Sequence, residues 1–231
     1  MSLVLRTADF YAANRGGGIY SEAISQRLGA LIALWASRLG LRPTTVTLAN
    51  LVLGVGTSAL VGFHVPAAGW VALVGWQLAY AMDCADGQLA RVTGQASPAG
   101  ARVDVLCDVA SHIALVTALV AVARPPTWFA ATFAGLWMVN VITSMLAAPS
   151  MITKRSPFVR IFKVVRDYGA IVAASALILI FVPRLLVWFL AFSSAVNAGF
   201  LLASLVLSAR AALAQPRVDA DQLVGDLGRA E

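Results

Sequence analysis

Four of the chain's eleven acidic residues lie in two otherwise apolar segments. Asp83 and Asp86 are three residues apart, and Asp104 and Asp108 are four apart, so each pair projects from one face of a helix. Carboxylates inside a membrane span are costly and indicate a functional site. Because such groups repel one another and hard oxygen ligands suit Mg²⁺ or Mn²⁺, the pattern predicts a divalent metal site.

Residues beside these carboxylates could serve a phosphate-containing substrate. Gly87 directly follows the first carboxylate pair, and its missing side chain lets a bulky group approach the backbone. Arg91, one turn further, can neutralise a phosphate. Gly100, one turn before Asp104, allows a second helix or a substrate to come close. Membrane helices also pack through small residues, so each glycine alone has a purely structural explanation.

Composition indicates that membrane helices hold these residues. Of 231 residues, 60% are hydrophobic and 12% are charged, about half the charged fraction of a soluble domain. Short breaks containing Pro and Arg separate six apolar stretches of spanning length, at about 44–64, 67–89, 99–122, 127–147, 169–182 extended at its N-terminal side, and 185–207. The predicted fold is therefore an all-α integral membrane protein with six transmembrane helices.

The segment before the first span, residues 1–42, contains a predicted amphipathic helix. Apolar residues recur there at helical spacing between Tyr20 and Leu39, namely Tyr20, Ile24, Leu28, Leu31, Ile32 and Trp35. Such a helix lies in the plane of the membrane interface or packs on the other helices, and both can hold. A membrane domain over residues 43–210 and a polar C-terminal tail over 211–231 complete the expected organisation.

Charge placement predicts the orientation. If the N-terminus is cytoplasmic, the outer loops hold only Arg124 and Arg184 of the 17 Lys and Arg residues. Helices that begin on the outer side then do so with a tryptophan, as in an aromatic belt: Trp70, Trp128 and Trp188. Asp83, sixteen residues after Ala67, lies about 24 Å along its helix, near the inner face. We expect a multi-pass protein of the cell membrane with both termini in the cytoplasm.

Net charge and cysteine content favour a membrane protein over a nucleic-acid-binding protein and over a protein held by disulfides or zinc. The net charge of +6 suits cytoplasmic loops near anionic headgroups, so nucleic acid is not an expected partner. Cys84 and Cys107 both lie in apolar segments, and neither their number nor their spacing fits a disulfide framework or a zinc site.

The complete motif resembles the signature of the CDP-alcohol phosphotransferase family. The chain reads Asp83-Cys-Ala-Asp86-Gly87-Gln-Leu-Ala90-Arg91, then eight residues, Gly100, three residues, Asp104, three residues and Asp108. All eight defining positions agree in type and spacing. The resemblance implies six transmembrane helices with an N-terminal interfacial helix, usually in a homodimer. It also implies that an acceptor hydroxyl attacks the β-phosphorus of a CDP-linked alcohol and that CMP leaves.

The same resemblance assigns roles to particular residues. Asp83, Asp86 and Asp104 would hold two Mg²⁺ or Mn²⁺ ions, with Asp108 both a shared ligand and the general base. Contacts to the CDP group would come from a larger set: Gly87, Arg91 and Ser97, together with Pro43, Thr44, Thr45 and Val46. Thr44 stands where such enzymes often have Asn or Asp.

The sequence indicates the substrates less directly than it indicates the reaction. A short chain without an appended domain is more similar to the bacterial and archaeal phosphatidyltransferases, so we expect CDP-diacylglycerol as donor and a small polar alcohol as acceptor. The alternative is transfer from a CDP-aminoalcohol to diacylglycerol. Outside this family, intramembrane carboxylates also occur in transporters, which have no need of the Gly87 and Arg91 spacing. A degenerate, non-catalytic scaffold would be expected to have lost one of the motif positions.

Three features bear on the acceptor. Lys154 and Arg155 begin a basic segment that could bind a phosphorylated acceptor, although the positive-inside rule explains it equally. Val109 stands where many phosphatidylglycerol-phosphate and inositol-phosphate synthases have Lys or Arg. His112, one turn after Asp108, either assists that carboxylate, binds an acceptor or packs between helices.

Overall fold

A helix lies in each of the six apolar stretches. The computed structural model describes residues 5–14, 17–146 and 167–214, and all regular structure in these ranges is helical. A short helix α1 (Thr7–Ala12) comes first, and a π-helical turn (Ser21–Ser25) then leads into α2 (Gln26–Arg38). Six longer helices follow: α3 (Pro43–Gly62), α4 (Ala68–Val92), α5 (Pro98–Ala123), α6 (Thr127–Leu146), α7 (Tyr168–Phe181) and α8 (Leu186–Leu213).

Three stretches of the described chain are long and apolar enough to cross a membrane, namely Pro43–Gly62, Pro98–Ala123 and Pro183–Arg210. Two shorter apolar helices cover Thr127–Val139 and Tyr168–Phe181. Helix α4 is 25 residues long but carries polar side chains along its length, including Gln77, Tyr80 and Asp83. The structure thus supports an all-helical membrane protein, and the full count of six spans stays a prediction.

Proline and short polar side chains set the starts of several helices. Pro43 and Pro98 occupy the first turns of α3 and α5, where a missing N–H costs nothing. The Ser97 hydroxyl accepts a hydrogen bond from the Gly100 N–H at 3.1 Å and so caps α5. The Asp167 carboxylate caps α7 in the same way.

Helix α4 is the centre of the bundle. It packs against α3 on one side and against α2 and α7 on others, while α3 also packs on α5, and α6 on α8. A cluster of large buried side chains contains residues of all six long helices, among them Val61, Trp76, Leu115, Trp137, Val172 and Leu190. The helix that carries Asp83 and Asp86 is therefore held from several directions.

Helix α2 has one face on α4 and another exposed. Its small residues Ala30 and Ala33 are fully buried. Four residues of the predicted apolar stripe are exposed, and two, Tyr20 and Ile32, are partly buried; the exposed ones are Ile24, Leu28, Leu31 and Trp35. Packing on α4 was one of the two placements expected for this helix. The exposed stripe is what contact with a membrane interface requires, and that interfacial position stays a prediction. Helix α1 was not predicted.

A buried carboxylate ties the N-terminal segment to the start of α7. Asp167 accepts hydrogen bonds from the Ser21 N–H at 3.0 Å, from the Ser21 hydroxyl and from the Gly169 N–H at 3.1 Å. The Ser21 hydroxyl in turn lies 2.9 Å from the Tyr80 hydroxyl of α4. Burial and the negative charge of Asp167 raise the pKa of Tyr20. This Ser21–Asp167 staple joins three separate stretches of chain.

Gly29 tests the contact between α2 and α4. A Cβ at this position would lie 2.9 Å from both the Ala81 carbonyl oxygen and the Cys84 Cβ, so Gly29→Ala must push the helices apart. We expect a destabilisation of about 1–3 kcal/mol, measured as a lower Tm in detergent. The matched control is Gly56→Ala, because a Cβ there meets no atom within 4 Å. Equal Tm values for the two variants would contradict the packing described.

Candidate active site

Three of the four predicted carboxylates meet between α4 and α5. Oxygen atoms of Asp83, Asp104 and Asp108 all lie within 4.8 Å of one another. Helix α4 ends at Val92 and α5 begins at Pro98, so the two helices meet at one end of the bundle. Asp104 is six residues into α5, about 9 Å along the helix axis. Asp83 and Asp108 lie further from the turn, at about 14 and 15 Å along their helices. The cluster thus lies in the half of these two helices that is nearer to the α4–α5 turn.

Asp86 is held by a residue of α3 and stands beside this group rather than within it. Its side chain is 5% exposed and accepts a hydrogen bond from the Thr47 hydroxyl at 2.6 Å. One turn further along α3, the Asn50 amide lies 3.5 Å from an Asp83 oxygen. Thr47 and Asn50 were not among the predicted site residues. The feature of the sequence that could have identified them is their spacing, because two polar residues three apart in a largely apolar span lie on one face of the helix.

The side chains present fit a hard divalent cation. Three carboxylates supply closely spaced oxygen atoms, and Mg²⁺ and Mn²⁺ prefer such ligands. Thr47 orients Asp86 next to them, as groups that support a metal ligand do. Neither Cys84 nor Cys107 belongs to the group. This donor set could therefore hold a hard divalent cation.

The predicted CDP contacts fall into two places. At the start of α5, the Ser97 hydroxyl lies 3.2 Å from where a Cβ on Gly100 would be, and the Thr44 hydroxyl lies 3.9 Å from the same point. Thr44 and its neighbour Pro43 are partly exposed and Thr45 is exposed, whereas Val46 is buried in the apolar cluster around Phe10. The first turns of α3 and α5 thus lie side by side beside the carboxylates.

Gly87 and Arg91 form the second place. The guanidinium nitrogens of Arg91 lie 3.0 and 3.2 Å from where a Cβ on Gly87 would be. Arg91 Nε also donates a hydrogen bond to the Ala13 carbonyl at 2.7 Å. The guanidinium thus lies over Gly87, the residue that follows Asp86. Arg91 therefore lies where a phosphate bound at the acidic cluster could reach it.

His112 lies on the side of the cluster away from the α4–α5 turn. Its Nδ1 is 2.8 Å from the Asp108 carbonyl oxygen, and its ring stacks on Tyr168 with a centroid distance of 4.6 Å. Trp137 also contacts this pair of rings. The packing role considered for His112 is thus present in the structure. Lys154 and Arg155, the predicted acceptor contacts, lie outside the described residues.

Comparison with known families identifies the family of the chain. The model of the CDP-alcohol phosphatidyltransferase family matches residues 41–207, which include all of the motif residues. No curated protein sequence matches the chain.

Direct metal binding tests the acidic cluster. We expect purified protein to bind Mn²⁺, and anomalous scattering from Mn²⁺-soaked crystals should lie among Asp83, Asp104 and Asp108. Asp104→Asn removes one charged ligand and should weaken Mn²⁺ binding by about 10-fold or more. Glu22→Gln, which neutralises an exposed carboxylate outside the cluster, is the control. Mn²⁺ density elsewhere, or equal affinity in both variants, would contradict a metal site here.

Proposed function

Since the chain belongs to the CDP-alcohol phosphatidyltransferase family, we propose that it transfers a phosphatidyl group from CDP-diacylglycerol to a small polar alcohol and releases CMP. Transfer of a phosphate-linked alcohol from a CDP-alcohol is the reaction of the family as a whole. The observation that carries the proposal is the meeting of Asp83, Asp104 and Asp108 inside the matched range. The match favours a transferase over the transporter that intramembrane carboxylates alone also allow.

The choice of a donor with lipid tails rests on the family and on the apolar, membrane-length helices that surround the cluster. The nucleotide would contact Gly87, Arg91 and the first turns of α3 and α5.

The assembly proposed is a homodimer in the cell membrane with both termini in the cytoplasm. Trp70, Trp128 and Trp188 support the orientation, because all three are exposed at the starts of α4, α6 and α8. The acidic cluster lies toward the opposite ends of these spans, where a water-soluble acceptor can enter.

Asp108 is the proposed general base. The acceptor oxygen forms a bond to the β-phosphorus, the bond from that phosphorus to the oxygen bridging it to the α-phosphorus breaks, and CMP leaves with the bridging oxygen. The proton of the acceptor hydroxyl goes to the Asp108 carboxylate. Two divalent ions, held by Asp83, Asp86, Asp104 and Asp108, would supply positive charge that offsets the charge developing on the diphosphate. Arg91 would hold a phosphate by a charge-assisted hydrogen bond.

Release of CMP tests the reaction and the donor together. Purified protein is incubated with Mg²⁺ and CDP-diacylglycerol, and inositol phosphate, glycerol phosphate and serine are added singly. We expect CMP only when an acceptor is present. Parallel reactions contain CDP-choline or CDP-ethanolamine with diacylglycerol, and CMP from these alone would assign the alternative class. No CMP from any pair would contradict the proposal.

Asp108→Asn separates the base from substrate binding. The amide keeps the shape of the side chain but cannot take the proton, so turnover should fall by about 10²-fold or more while CDP-diacylglycerol still binds. Because Asn is also a poorer ligand, Mn²⁺ occupancy is measured on the same sample. A variant that holds the ions and the donor and turns over at the wild-type rate would show that Asp108 is not the base.

A further inference from the structure

The N-terminal segment contacts the arginine that is proposed to bind phosphate. Arg91 Nε donates a hydrogen bond of 2.7 Å to the carbonyl of Ala13, the C-cap residue that directly follows helix α1. Carbonyl groups at the end of a helix carry partial negative charge and attract cations. A charged donor also makes this bond stronger than one between neutral groups. The backbone of residue 13 therefore fixes part of the Arg91 side chain.

Two contacts hold this backbone in place. Residues 7–14, here termed the N-terminal strap, are anchored by Phe10, which is 0% exposed and packs in a cluster that includes Ala85 and Leu89 of α4. The second anchor is polar. The Gln88 amide donates to the Asn14 side-chain oxygen at 2.7 Å and to the Gln26 carbonyl at 3.0 Å.

Gln88 and Arg91 act from the same helix. They are three residues apart on α4, so both reach the strap from one face of the helix. Gln88 is 0% exposed, which leaves it no contact with substrate. The Gln88 amide donates a hydrogen bond to the Asn14 side chain, and the carbonyl of the adjacent Ala13 accepts the hydrogen bond from Arg91. The bond from Gln88 to Asn14 thus sets the position of the carbonyl that Arg91 needs.

We propose that Asn14 and Gln88 are positioning residues that orient Arg91 for the nucleotide diphosphate. The inference rests on the proposed function, because it takes Arg91 as a phosphate contact. An arginine side chain has many rotamers, and binding is weakened by the entropy lost when they are restricted. The strap restricts them before the substrate arrives. Gly87 has a second role in this view, since a side chain there would displace the guanidinium.

Removal of the Asn14 side chain tests the proposal. Asn14→Ala should raise KM for CDP-diacylglycerol about 5- to 10-fold, the scale of one hydrogen bond, and leave kcat within about twofold. The matched control is Tyr11→Phe, which loses the bond from the Tyr11 hydroxyl to the Glu22 carbonyl (3.3 Å) in the same strap. Asn14→Asp keeps the oxygen that accepts from Gln88 and should restore wild-type KM.

A double-mutant cycle separates positioning from a general effect on structure. Affinity for CDP with Mg²⁺ is measured by calorimetry for wild type, Asn14→Ala, Arg91→Ala and the double variant. If Asn14 acts through Arg91, its substitution weakens CDP binding in the wild-type background and has no further effect when Arg91 is alanine. Equal effects in both backgrounds, or a loss of kcat with unchanged KM, would overturn the proposal. Because CDP binding needs no turnover, absence of CMP release would contradict the proposed function separately.

Discussion

Repulsion between carboxylates in an apolar bundle constrains the middle of this fold. Asp83, Asp104 and Asp108 bring oxygen atoms within 4.8 Å of one another in helices that are otherwise apolar. Like charges at this separation are strongly unfavourable where the dielectric constant is low, so the arrangement needs positive charge and polar partners. Polar partners come from α3, where Asn50 lies 3.5 Å from Asp83 and Thr47 donates to the neighbouring Asp86.

The carboxylate cluster was predictable because its geometry is local to two neighbouring helices. Spacings of three and four residues fix which face each pair of Asp residues occupies, and a short connection joins α4 to α5, both of which pack on α3. The separate position of Asp86 within the motif was not predictable. Asp86 lies against Thr47 rather than in the close group, and this depends on how α3 is rotated against α4. No spacing within one segment determines such a rotation.

Helix α1 and its contact with Arg91 were likewise not predictable from the sequence. A helix of six residues has too few hydrogen bonds to be stable alone, so sequence periodicity gives no signal for it. Its position comes from the burial of Phe10 against α2 and α4. The bond between Arg91 and Ala13 joins residues 78 apart in sequence. The six apolar stretches, by contrast, were visible because length and proline breaks identify them without tertiary information.

The Ser21–Asp167 staple imposes an order on assembly. Its two residues are 146 apart in sequence, so the staple closes a very long loop and cannot form until α3 to α6 have been made. At a synthesis rate of about 5–20 residues per second, Ser21 waits roughly 7–30 s for its partner. Long-range contacts of this kind form late. The N-terminal segment can therefore pack on α4 as soon as residues up to Arg91 have been made, whereas its bond to Asp167 forms only after four of the six long helices exist, which divides its docking into an early and a late stage.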